Sequence, residues 1–261
     1  MTARAKAMKA AGVDVISMSL GEPDMDTPKH VRVAAQEAVD NHWSHYGPVA
    51  GIPALREAAA NYQNSLNGNA IPWIADDVLV SVGAKMAIYN AIQTVINQGD
   101  EVVIPMPAWV SYSEMVKLAE GVVVPIETRY EDRFCLTPEA LRKALTPKTR
   151  MIILCSPNNP TGAVYTAEEL EALMKVLREY PDVYILADEI YNELNYGKSS
   201  VTFSYFSDFA DRLILINGVS KAYAMTGYRI GWLMSKNKAF INACIRLQGQ
   251  QLTCATMVAQ K

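Results

Sequence analysis

Two hydrophobic rhythms alternate along the chain. Short aliphatic runs occupy 78–82, 101–104, 122–126, 151–155, 183–187 and 213–216. Between and around them, apolar residues recur at helical spacing over 29–41, 52–65, 85–96 and 167–179, and again from Ala239 onward. The Ala- and Lys-rich stretch 1–12 also reads as a helix. Punctuation supports this division. Thr27-Pro28 reads as a cap and a first helical position. Gly83 breaks the 78–82 run, and Gly99-Asp100 stops the helix before it. A half-buried strand alternates apolar and polar residues, whereas a strand covered on both faces is apolar throughout. The pattern therefore predicts an α/β fold, with a mostly parallel central sheet and helices on both faces. In such sheets ligands bind beyond the carboxyl ends of the strands.

Composition narrows the function classes. The 261 residues carry 24 Lys+Arg against 27 Asp+Glu, a net charge of −3, and half of them are apolar. This balance lacks the basic footprint of a nucleic-acid binder. No apolar run approaches the ~20 residues of a membrane span. Stretch 1–12 has no apolar core of the signal-peptide kind. Cys135, Cys155, Cys244 and Cys254 show no C-x-x-C spacing and read as reduced thiols in a cytoplasmic protein. His30, His42 and His45 lie close together without further ligands at metal-binding spacing, so no metal site is expected.

The strand ends carry the candidate chemistry. Ser81-Val82-Gly83-Ala84-Lys85 is a strand–turn–helix junction whose free N–H groups suit a phosphate, although such a glycine also serves a plain turn. Two prolines frame Trp109, which is either a core residue or a platform for a flat ring. Asn158 and Asn159 stand between Pro157 and Pro160, one amide more than turn chemistry needs. Asp188 closes an apolar strand, where a carboxylate is costly unless paired; it either caps the next turn or holds a cationic ligand group. Glu189 is adjacent to it, so the two side chains diverge and do not form an acid–base pair. Lys221, with Arg229 nearby, follows the last predicted strand. A desolvated lysine beside another cation loses its proton readily and becomes a nucleophile toward carbonyls.

In this order, Ser19-Leu20-Gly21-Glu22-Pro23-Asp24, Tyr46-Gly47-Pro48 with Gly51-Ile52-Pro53, Trp109, Asn159-Pro160-Thr161-Gly162, Asp188-Glu189-Ile190-Tyr191 and the run from Ser220-Lys221 to Gly231 resemble the class I pyridoxal-phosphate-dependent aminotransferases. Within that group, the aspartate aminotransferase family, the chain is most similar to the bacterial aspartate and aromatic branch. The resemblance covers the chain from end to end. It implies a fold type I transferase in which 1–45 contribute to a partial small domain and the substrate site, and 46–261 form the cofactor-binding large domain.

The same resemblance implies the roles. Lys221 forms the internal aldimine and then moves the proton between Cα and C4′. Asp188 pairs with the pyridinium nitrogen, while Asn159 and Tyr191 hydrogen-bond the ring's phenolate oxygen. Trp109 stacks on the ring. Arg229 holds the phosphate with N–H groups around Gly83, Ala84 and Lys85 and with Ser220. Tyr46 reaches the phosphate of a neighbouring subunit, which implies a homodimer. Gly21 lies against the substrate α-carboxylate, bordered by Trp109 and Asn159. Lys85 either binds an acidic substrate side chain or points to solvent. The implied reaction is a ping-pong transamination between an L-amino acid, aspartate foremost, and a 2-oxo acid such as 2-oxoglutarate.

Complete members of the family are longer and carry a carboxylate-binding arginine near their C-terminus. This leads to the expectation of a C-terminally truncated chain that binds substrate weakly, with a longer parent as the active transaminase. Three rival readings share the motifs: a C–S lyase on the same fold, a pyridoxal-phosphate-sensing module without its DNA-binding domain, and an inactive fragment.

Overall fold

The computed structural model describes residues 2–16, 21–194, 196 and 201–261. Ser19 and Leu20 of the first motif lie outside the described residues. Helices α1 (Thr2–Ala10), α2 (Lys29–Asp40) and α3 (Pro53–Ser65) precede the sheet. The chain then runs β1 (Val78–Val82), α4 (Gly83–Val95), β2 (Glu101–Met106), α5 (Val110–Leu118), β3 (Val122–Glu127), α6 (Pro138–Ala144), β4 (Thr149–Cys155) and α7 (Ala167–Leu177). It finishes with β5 (Tyr184–Asp188), β6 (Leu213–Gly218), β7 (Ile230–Met234), α8 (Lys238–Gln251) and α9 (Met257–Gln260).

The seven strands form one sheet in the order β1-β7-β6-β5-β4-β2-β3. Neighbours from β6 to β3 are parallel, and β7 runs antiparallel to both β1 and β6. Six strands thus share one direction. Burial on both faces explains the unbroken apolar runs of the inner strands, whereas the edge strand β3 is apolar in sequence but largely exposed, with Val122 47% accessible. In β4, Ile152 and Leu154 join the core packed by α3, α6 and α7, while Met151 and Ile153 join the core packed by α4, α5 and α8. Among the described residues no helix is long and apolar enough to cross a membrane.

Three local expectations change. Thr27 does not cap α2: its hydroxyl donates to the Ala224 carbonyl at 2.6 Å, and the helix starts at Lys29 with Pro28 as its cap residue. Helix α4 begins two residues early, at Gly83, directly on the end of β1. Strand β7 is absent from the sequence reading, because Ile230-Gly231-Trp232-Leu233-Met234 carries a glycine and merges with the preceding Gly- and Tyr-rich run.

Candidate active site

The common edge formed by the carboxyl ends of β1, β5 and β6 opens onto a cavity of about 420 Å³. Ala84, Lys85, Trp109, Asn159, Asp188, Tyr191, Ser220, Lys221, Arg229 and Gly21 all line it. Because β7 runs opposite to its neighbours, its amino end lies on the same edge. That reversal delivers Arg229, the residue before Ile230, to the cavity. Gly83 lies beneath rather than in the wall. Its φ is +75°, and a Cβ there would sit 2.6 Å from Arg229 Nη2. Gly231 is as constrained, since a Cβ on it would overlap the Ala84 amide nitrogen. Two glycines therefore let the Arg229 guanidinium and the first turn of α4 close together. Arg229 itself is left-handed (φ 58°, ψ 48°), with Nη1 donating to the Thr226 carbonyl at 2.8 Å.

Asp188 is buried at the end of β5. It accepts from the Tyr112 hydroxyl at 2.6 Å and from the Ile190 N–H at 3.2 Å. The second bond closes the following turn. Among the described residues no cation faces the carboxylate, and burial pushes its pKa up to about 6 against the pull of the Tyr112 hydrogen bond. Asn159 Nδ2 donates to the Tyr191 hydroxyl at 3.0 Å, and burial pushes the Tyr191 hydroxyl up to about 12. Asn158 turns away to the Pro107 carbonyl and Thr161, the ordinary turn role. Lys221 Nζ donates to the Gly21 carbonyl. Burial lowers its pKa and the Arg229 charge adds to that, while Glu22 opposes both. Lys85 is solvent-exposed on the rim of the cavity, with its Nζ 4.8 Å from the Trp109 ring centroid, in cation–π geometry.

Other lining residues carry no role in the sequence reading. Glu22 accepts from the Thr226 hydroxyl at 2.7 Å, bringing the N-terminal segment onto the Lys221 loop. Ile88 supplies apolar wall. Tyr112 holds Asp188 and meets Trp109 edge-on, with ring centroids 5.3 Å apart. The signal for Tyr112 was its place one helical turn after Trp109, which reads equally well as core. Tyr46 is not brought to this cavity. It is 89% exposed, in a separate hollow with Trp43 and His45. Glu189 diverges from Asp188 as expected and is buried on the other side of β5.

Residues 13–260 match the family described as aminotransferase class I and II. The chain belongs to that family. It is 42% identical over 260 residues to an aspartate/prephenate aminotransferase of Thermus thermophilus, covering all of this chain and 66% of that protein. It is also 42% identical over 262 residues to an aspartate aminotransferase of Geobacillus stearothermophilus, again covering 66% of the relative. The solved structure of a Thermus thermophilus aspartate aminotransferase with maleate superposes with a TM-score of 0.93 at 41% identity, over 99% of this chain and 66% of that one. The chain thus spans just under two thirds of the length of these relatives. The superposition establishes the same fold, mixed sheet included.

Proposed function

We propose that this chain carries the cofactor-binding part of a pyridoxal-phosphate-dependent transaminase. It would exchange an amino group between an L-amino acid, aspartate foremost, and a 2-oxo acid such as 2-oxoglutarate, in a ping-pong cycle. The observation that carries the reading is the convergence of a desolvated lysine, a buried carboxylate held by neutral donors, and an arginine-flanked helix start in one cavity. The named activities of the similar proteins point the same way.

The residues fit pyridoxal phosphate at both of its ends. Asp188 is a buried carboxylate with two neutral donors and, among the described residues, no counter-charge, as suits a protonated ring nitrogen. At the other end, the Gly83–Gly231 contact holds the first turn of α4 against Arg229. That turn has no side-chain cap, so its N–H groups and the guanidinium make a phosphate site.

When bound, the cofactor supplies an electron sink in conjugation with the substrate Cα. Asp188 keeps the ring nitrogen protonated. Lys221 Nζ, losing its proton readily through burial, holds the cofactor and then takes and returns the proton at the substrate Cα. Tyr191 and Asn159 donate toward the ring oxygen. Trp109 covers one ring face and excludes water. Ser220 assists Arg229 at the phosphate. Gly21, already in contact with Lys221, borders the substrate α-carboxylate. Lys85, laid over Trp109, offers a charge to the distal carboxylate of aspartate. The similar Thermus thermophilus structure was solved with maleate, itself a dicarboxylate, which accords with that role.

The domain division belongs to the same reading, with 1–45 joining a small domain and 46–261 forming the large one. So do a homodimer in which Tyr46 serves the neighbouring site, and a cytoplasmic location. The purified chain mixed with pyridoxal phosphate is expected to show a visible absorption band that shifts on adding aspartate and is missing in Lys221→Ala. No band, or one indifferent to Lys221→Ala, overturns the reading for this chain.

A further inference from the structure

Among the described residues, Glu189 is the one buried carboxylate beside the site that the proposed chemistry leaves unused. It is 1% exposed, and four donors converge on it, all neutral. Phe203 N–H donates at 2.7 Å, the Thr202 hydroxyl at 2.8 and 3.1 Å to the two oxygens, Asn192 Nδ2 at 3.0 Å and Gln63 Nε2 at 3.1 Å. These donors come from three stretches of chain: helix α3, the turn after β5, and the segment that returns at 202–203. Its main chain is equally tied. Glu189 N–H donates to the Ile216 carbonyl of β6 at 2.9 Å, and its carbonyl accepts from Asn192 N–H at 3.1 Å.

An isolated buried charge is expensive. A well-packed neutral residue would avoid that cost unless the acceptor geometry itself is needed. A carboxylate is the one side chain that only accepts and has room for four donors. An amide in its place turns an N–H₂ toward at least one of those donors. The hub also has a particular location. Asp188 precedes it and Tyr191 follows it within the turn that its side chain closes through Asn192. The Tyr191 hydroxyl at the far side of that turn is aimed at Asn159.

The geometry points to Glu189 as a positioning residue. By pinning the turn after β5 to α3 and to residues 202–203, it sets the direction of the Tyr191 hydroxyl toward Asn159 and the ring oxygen between them. This rests on the transaminase reading only for its final link, the ring oxygen. The aim of Tyr191 is a property of the ligand-free chain.

Two readouts test it on Glu189→Gln. In the ligand-free protein labelled with ¹³Cζ-tyrosine, the Tyr191 resonance, assigned by its loss in Tyr191→Phe, is single in the parent and is expected to broaden or double in Glu189→Gln. In the protein loaded with pyridoxal phosphate, the pH midpoint of the visible band is expected to rise by ~0.5 unit or more. A donor lost from an ionised oxygen raises that oxygen's proton affinity. Adding Glu189→Gln to Tyr191→Phe is expected to give no further rise, because both act through one hydroxyl. Thr202→Val, which removes a single donor, gives a smaller change of the same sign and decides the matter if Glu189→Gln does not fold.

An unaltered Tyr191 resonance in a folded variant overturns the proposal. So does an unmoved midpoint where Tyr191→Phe moves it. If Tyr191→Phe itself leaves the midpoint in place while the resonance responds to Glu189→Gln, the assigned role of Tyr191 toward the cofactor fails and the positioning role stands.

Discussion

Among the described residues Asp188 has no cation beside it, and this has a measurable consequence. Its folded pKa, about 6, lies above the ordinary carboxylate value. The folded state therefore binds this proton more tightly than the unfolded state. Its contribution to stability is full below about pH 4 and is lost as pH rises through about 6. We expect ligand-free Asp188→Asn to be more stable than the parent by roughly 1–3 kcal/mol at pH 7–8. The difference should vanish near pH 4 in urea titrations, and cofactor affinity should collapse. Tyr112→Phe removes a hydrogen bond of about 1.5–3 kcal/mol to a charged group. It is expected to weaken pyridoxal phosphate binding ~10-fold or more in a fluorescence titration. Lys85→Ala is expected to lose preference for aspartate over alanine; a variant that keeps it removes Lys85 from substrate binding. Asp188 and Lys221 were legible in the sequence because a charge at the end of an apolar strand, or in the loop just beyond one, is out of place there. Tyr112 was not, since an aromatic on an amphipathic helix is ordinary core, and its bond to Asp188 spans 76 residues.

At the scale of elements, the junction of β1, α4 and β7 decides whether a phosphate can be held. Gly231→Ala drives a methyl into the Ala84 amide, where only backbone can yield. We expect it to cost about 1–3 kcal/mol in urea denaturation and to abolish the protection that inorganic phosphate gives the parent. Gly227→Ala faces open space and has no left-handed φ, so it should stay within about 0.5 kcal/mol. The inner parallel strands could be read from their unbroken apolar runs, because burial on both faces leaves that mark; the edge strand β3 carries the same run without that burial. Strand β7 could not. Its direction depends on which gap in the sheet it fills, and nothing in Ile230-Gly231-Trp232-Leu233-Met234 records that. Arg229 was thus recognised by kind of residue, while the reason it faces the cavity came from the antiparallel insertion.

For the molecule as a whole, Tyr46 is a site residue with no site of its own, held out on the surface by the loop before α3. If it serves a second copy, mixing Tyr46→Phe with Lys221→Ala chains should regenerate one complete site per mixed pair. Cofactor affinity in the mixture should then exceed that of either variant alone, and no gain on mixing rules the exchange out. The position of β7 reaches further still. Among the described residues it is the sole strand beside β1, at a sequence separation of roughly 150 residues, and contacts so distant are slow to form. On the ribosome, β1 and the helix start behind it emerge long before the strand that will lie beside them. Until Met234 has been added, the emerging chain holds Asp188 and Lys221 but not the strand that joins β6 to β1. The pocket is therefore a late product of synthesis, and an interruption before that strand leaves its chemistry unassembled however many of its residues have been made.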